Sequence, residues 1–307
     1  MSWTTPYTVA YENDAIRVLA FRVSLGTPIL IVPPQAGHES WIADYAEGQS
    51  LVVAALEASD APVFAIDYKS CTYARKDEGI EALMLQLTRA ITESCDLCDN
   101  SYRVHLVGLC QGGWVSTIYA ALYPSEVASL TVAGAPIDAH AGDSILAKAI
   151  ASPMWQYQMV IQMGGGLMHG DFMLANWKAP NAKRHYIDRY LDPTERNVKF
   201  YSWYDKTSNI AGGWYLWCIE NLFKNNDLIN NRMTVGGESV LLERIDCPVY
   251  LIAGERDDIS PPEQTFNLSA KTSGGYSCIL IPKAGHIGVF MGPESVPVWK
   301  DKVFSNM

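Results

Sequence analysis

Short runs of β-branched and aliphatic residues alternate with longer amphipathic stretches over the first 138 residues, the rhythm of a mostly parallel sheet with flanking helices. Strands are predicted at Ile16–Val23, Pro28–Val32, Pro62–Asp67, Arg103–Val107 and Ala128–Ala133. Between them, Glu78–Thr92 places Ile80, Leu83, Met84, Leu87 and Ile91 at three- and four-residue steps, so one apolar stripe of a helix can face the sheet. A further helix begins near Gly113 and is stopped by Pro124. From Ala139 to Val235 the rhythm breaks: no strand pattern is visible, and five of the nine tryptophans and six of the ten methionines fall there. This stretch reads as a helical lid insertion. The sheet pattern returns at Pro248–Ala253 and Cys278–Ile281, and a helix near Pro293–Val303 follows. The expected organisation is a core of residues 1–138 and 236–307 with a lid, 139–235, between its halves. No repeat or low-complexity linker separates them, so the lid should pack on the core.

A length of 307 residues, 49% of them hydrophobic, suffices for one large core plus that insertion. No apolar run approaches the ~18 residues that cross a bilayer and no signal-peptide pattern opens the chain, so a cytoplasmic protein with no transmembrane segment is expected. Seven cysteines, an odd number in a chain too long to need covalent staples, point to reduced thiols. A net charge of −10 argues against nucleic acid or an anionic membrane as the main partner.

The most informative stretch runs from Arg103 to Trp114, an alternating strand that enters a helix through Gly108-Leu109-Cys110-Gln111-Gly112. Such a turn holds its central residue at positive φ and exposes the side chain above the sheet, with glycines where strand and helix backbones approach too closely for a β-carbon. An isolated Gly-x-Cys-x-Gly is weak, since a buried cysteine is more often a small core residue. Here the context favours a nucleophile: an acid and a histidine follow later strands, in the order nucleophile, acid, histidine of the α/β-hydrolases. The acid is Asp257 in Gly254-Glu255-Arg256-Asp257-Asp258, with Asp258 as the neighbouring alternative. The histidine is His286, in a glycine-flanked loop after the last strand.

An oxyanion hole needs two backbone donors. The turn supplies the N–H of Gln111. Pro33 and Pro34 have none to give, which makes Gln35 the first donor after its strand. The run Pro33 to Trp41 would then line the pocket mouth, with His38 and Trp41 as candidate substrate contacts. Lesser signals have bland readings beside functional ones. Cys95-Asp96-Leu97-Cys98 has metal or redox spacing but no second ligand pair, and no metal is expected. Lys178, Lys183, Arg184, His185 and Arg189 could meet the phosphates of coenzyme A or form a solvated face. Trp155, Met159, Met163, Met168, Trp177, Trp203, Trp214 and Trp217 could grip an apolar polymer or fill the lid's own core. Gly164-Gly165-Gly166 is a hinge or a turn.

These residues resemble the intracellular polyhydroxybutyrate depolymerases, and behind them the polyhydroxyalkanoate synthases. Gly254 to Ser260 with Gln264-Thr265, and Gly285 to Gly292, look like the depolymerase acid and histidine segments. Pro33 to His38 is similar to that family's Pro-x-Ser-Gly-His turn, with Ala36 in place of serine, and Gly134 to Asp138 to its Gly-Gly-Pro-Ile-Asp. Cys110-Gln111-Gly112-Gly113 departs from the depolymerase Cys-Gln-Pro toward the synthase Gly-x-Cys-x-Gly-Gly, and Trp214 to Leu216 and Asn226 to Leu228 are also synthase-like. Asp258 stands where synthases carry histidine. The resemblance implies an α/β-hydrolase fold with a Cys110, Asp257 and His286 triad and an ester hydrolase or thiolase acting on 3-hydroxybutyrate oligomers. A synthase-like acyltransferase and a general esterase or thioesterase are the alternatives. It needs no bound cofactor, takes coenzyme A at most as acyl acceptor, and leaves room for storage granules as a partner and for a homodimer.

Overall fold

A computed structural model describes residues 3–35, 37–99, 102–179, 182–191 and 194–307. The central sheet comprises β1 (Thr8–Glu12), β2 (Ile16–Arg22), β3 (Ile29–Val32), β4 (Val63–Tyr68), β5 (Val104–Leu109), β6 (Val127–Ala133), β7 (Val249–Gly254) and β8 (Tyr276–Ile281). Their order across the sheet is β1-β2-β4-β3-β5-β6-β7-β8. The β1–β2 and β2–β4 pairs are antiparallel and all others are parallel. β1 is absent from the sequence reading because an edge strand with three of its five residues exposed carries no apolar run.

The alternation along each strand divides the core in two. Leu30, Phe64, Ile66 and Leu106 point to one face, where they join the buried stripe of α2 (Ile80–Asp96). Ile29, Ile31, Val63, Ala65, Val107 and Leu109 point to the other, onto α1 (Leu51–Ala58) and Trp299. Burial on both faces is why these strands read as near-continuous apolar runs. The helix α3 (Gln111–Leu122) follows β5 and is buried almost all round.

Between β6 and β7 lie the helices Met154–Met163, Gly170–Lys178, Glu195–Tyr204 and Gly212–Trp217. The expectation of no strand here is corrected by one small ladder, Leu167–Met168 against Ile210–Ala211, where two otherwise orphaned backbone segments satisfy each other. A hairpin also joins Thr234–Val235 to Glu238–Ser239. The insertion is tied to the core: the Asn209 carbonyl accepts the N–H of Cys71 at 2.8 Å, and Glu78 accepts that of Trp214 at 2.9 Å. Leu167, Met168, Ile210 and Trp214 share one buried cluster with the sheet. Among the described residues no helix is long and apolar enough to cross a membrane.

Candidate active site

The parallel strands deliver their C-terminal ends to one edge of the sheet, where ligands gather in such folds. Cys110 stands there between β5 and α3, at φ 51° and ψ −113°. A non-glycine residue holds such a conformation only where its surroundings over-determine it. Here the Cys110 N–H donates to the Ala133 carbonyl at 2.8 Å, and the Cys110 carbonyl accepts the Gly113 N–H at 2.9 Å. A β-carbon on Gly108 would overlap the Gly112 carbonyl, and one on Gly112 would overlap the Val32 carbonyl at the end of β3. Gly112→Ala is therefore expected to destabilise the fold by about 3 kcal/mol or more, since only backbone could yield. Gly275→Ala, a site with nothing within 4 Å of the added carbon, should leave the urea midpoint nearly unchanged. Equal midpoints for the two variants would refute this account of the turn.

His286 opens the short helix α4 (His286–Met291), capped by Gly285, rather than lying in a loop. Of the glycines that suggested a loop, Gly285 caps this helix in an extended conformation and Gly288 lies within it. Its Nδ1 lies 2.8 Å from Asp257 Oδ2. Asp257 Oδ1 accepts the N–H groups of Ile259 and Ser260 at 3.0 and 2.8 Å. With an ionised carboxylate as its partner, Nδ1 carries the proton and Nε2 is the nitrogen left for Cys110. Burial alone would pull this imidazole down. The Asp257 carboxylate and the Cys110 sulfur outweigh it and hold His286 well above its ordinary value. Asp258, the alternative acid, is exposed, and its backbone carbonyl accepts the Ile145 N–H at 2.9 Å.

Gly134, at φ 51°, was given no role from sequence. A β-carbon there would sit 3.0 Å from Phe290 Cζ, 3.4 Å from Asp257 Oδ2 and 3.5 Å from His286 Cε1. The residue keeps space beside the acid–histidine pair, and its place at a strand end before Ala135-Pro136 was the available signal.

Gln35 departs from expectation. Its N–H does not stand open to a substrate: it donates to the side-chain carbonyl of Gln111 at 2.9 Å. One N–H makes one strong hydrogen bond, so in this arrangement it is spoken for. Ala36, the serine replacement in the resembled turn, lies outside the described residues. Trp41 is 3% exposed, stacks on Tyr45 and donates its indole N–H to Glu39 at 2.6 Å. It packs in the seam between this segment and the helical insertion, edge-on to Trp203. His38 lies in the same seam, its ring 4.5 Å from Trp203 and 4.4 Å from Tyr204, with a backbone bridge to Thr207. Its Nδ1 is buried without a partner. Burial lowers this imidazole to about 4, against a contrary pull from the Lys206 backbone, so His38 is neutral at pH 7.

The basic cluster of the lid is internally paired. Lys178 and Arg189 both reach Asp205, at 2.6 and 2.8 Å, and Lys183 reaches Asp188 at 3.1 Å. His185 stacks on Tyr204. These contacts engage three of the five groups that could have met coenzyme A, with two carboxylates set against three cations. Of the apolar lid residues, Met168, Trp203 and Trp214 are core, whereas Trp155, Met159 and Met163 are exposed. Gly164 to Gly166 form a turn whose last carbonyl accepts the Gly212 N–H at 3.0 Å. Cys95 and Cys98 are buried, and the described residues hold no cluster of His, Cys, Asp or Glu that could bind a metal ion.

The strand order, the sharp turn from β5 into α3 and the helical insertion after β6 define an α/β-hydrolase fold. The enol-lactonase of Burkholderia xenovorans shares it, with a TM-score of 0.59 at 16% identity over 98% of this chain and 100% of that one. Within that fold the chain belongs to the DUF3141 family, whose model, described as a protein of unknown function, matches residues 23–279. It is also similar to a poly(3-hydroxyalkanoate) polymerase subunit, PhaC, of Allochromatium vinosum, 26% identical over 95% of this chain and 85% of that protein. The corresponding subunit of Haloferax mediterranei is 25% identical, and the match spans 95% of this chain but only 61% of that relative's length.

Proposed function

We propose that the protein is a thiol-dependent acyl-transfer enzyme that cleaves esters of 3-hydroxyalkanoate oligomers, with Cys110 as nucleophile, His286 as base and acid, and Asp257 as the group that orients His286. The observation that carries this reading is a cysteine in a strained strand-to-helix turn beside an imidazole whose far nitrogen is held by a buried carboxylate. His286 takes the proton of Cys110, and the sulfur attacks the ester carbonyl. The Gln111 N–H, at the positive end of α3, stabilises the tetrahedral oxyanion. As the C–O bond breaks, His286 gives its proton to the departing alcohol. Water, deprotonated by the same imidazole, then attacks the thioester, releasing the hydroxy acid and restoring the thiol.

The substrate class rests on the resemblance to the depolymerases and on the polymerase names of the relatives. Those names, with the Gly-x-Cys-x-Gly-Gly turn, favour a second reading: the thiol accepts a hydroxyacyl group from its coenzyme A thioester and passes it to a growing chain. A thioester intermediate suits both directions, because it is close in energy to an acyl-coenzyme A.

The purified protein is to be given amorphous polyhydroxybutyrate, a short hydroxybutyrate ester, and 3-hydroxybutyryl-coenzyme A. Release of 3-hydroxybutyrate from the first two is expected. Free coenzyme A with growing polymer from the third alone would replace this reading with the second. Turnover of simple esters only would make the enzyme a general esterase.

A further inference from the structure

We infer that the side chain of Gln111 is a positioning residue for acyl transfer, fixing the loop after β3 over the thiol; this rests on the reading of Cys110 as nucleophile. Gln111 follows Cys110 directly, and its amide carbonyl crosses from the start of α3 to accept the N–H of Gln35 at 2.9 Å, a span of 76 residues in sequence. Both residues are buried, with 6% and 3% of their surfaces exposed. Breaking this bond would strand a backbone donor in a site where water does not readily replace it.

The neighbouring residues show why that bond sets a position. Pro33 and Pro34 contribute no N–H, so Gln35 is the first residue after β3 able to tie the loop by a backbone donor. Gly112 lets the Val32 carbonyl press directly onto α3, where any β-carbon would overlap it. Contact at Gly112 fixes the start of the loop, and the Gln111–Gln35 bond fixes the next turn of it. Beyond Gln35 the same segment meets the lid, through the Gly37 carbonyl accepting the Ser208 N–H at 3.2 Å and through His38 between Trp203 and Tyr204. One glutamine thus joins the nucleophile's helix to the loop after β3. Its backbone N–H opens α3 directly after Cys110, and its side chain holds that loop.

The decisive comparison sets turnover against alkylation. Attack on an ester carbonyl needs the loop after β3 in place and the oxyanion donor, whereas displacement on iodoacetamide needs only the thiol and His286. Gln111→Met keeps the length of the side chain and removes the acceptor. It should lower kcat on a hydroxybutyrate ester by on the order of 10²-fold while the rate of Cys110 alkylation, followed by mass spectrometry, stays within about twofold. Gln111→Glu retains an acceptor oxygen on the same stem and should recover part of the lost kcat. A methionine variant that keeps its kcat, or one whose alkylation slows in step with turnover, would overturn the assignment. Full turnover by the parent enzyme after complete alkylation of Cys110 would instead remove the nucleophile reading on which it rests.

Discussion

Replacement of Cys110 by alanine is expected to lower kcat/KM on a hydroxybutyrate ester by on the order of 10⁴- to 10⁶-fold, about 5 to 8 kcal/mol of transition-state stabilisation. The loss should come without unfolding. The strain at φ 51° and ψ −113° lies in the backbone, and alanine bears the same β-carbon, so native and variant store it alike. Alkylation should reproduce the effect selectively. Burial raises the thiol of Cys71, Cys98, Cys218 and Cys278, lifts Cys247 to about 11 and lifts Cys95 to about 12. Those six thiols stay protonated near neutral pH and react slowly, since the thiolate is the nucleophile. Only Cys110 has the imidazole of His286 against it. One equivalent of iodoacetamide carried by Cys110 should therefore match the loss of turnover. Cys278, the one exposed cysteine, provides the control: Cys278→Ser should behave as the parent. Retained activity in the alanine variant would end the thiol mechanism.

Where the chain's own chemistry is local, the sequence showed it. Parallel strands buried on both faces announced themselves as apolar runs, and the turn at Cys110 was legible because its glycines answer to overlaps within a few residues and with the strand next door. The half-exposed edge strand β1 was not legible, because nothing in a solvated edge forces a pattern. The same distinction runs through the site. Cys110, Asp257 and His286 each follow a strand end, and topology brings strand ends together. Gln35 followed a strand end too, but whether its N–H is open depends on the reach of a side chain 76 residues away. Trp41 and His38 follow the same strand, yet Trp41 falls in a short 3-10 helix, Ser40–Ala43, and the two rings pack against Trp203, with His38 also against Tyr204. No periodicity in residues 33–41 encodes how lid aromatics will descend on them.

Asp257→Asn is expected to cost about 10⁴-fold in kcat, with substrate binding little changed. The structure specifies how the loss arises. Asp257 is 4% exposed, and its Oδ1 accepts the N–H groups of both Ile259 and Ser260. An asparagine in that place must keep its carbonyl oxygen toward those two donors, because turning the amide would set N–H against N–H in a buried site. Its amino group then faces His286 Nδ1, where the carboxylate oxygen stood at 2.8 Å. The imidazole must accept there, so its own hydrogen moves to Nε2. A ring in that tautomer points a proton at Cys110 and cannot take one away. The charge that kept His286 well above its ordinary value is lost as well. Both changes fall on proton transfer, so kcat rather than KM should carry the effect, and alkylation of Cys110 should slow alongside it. Asp258→Asn supplies the contrast: its side chain is exposed, and the bond to Ile145 uses its backbone carbonyl. A larger loss from Asp258→Asn than from Asp257→Asn would transfer the orienting role to the other carboxylate.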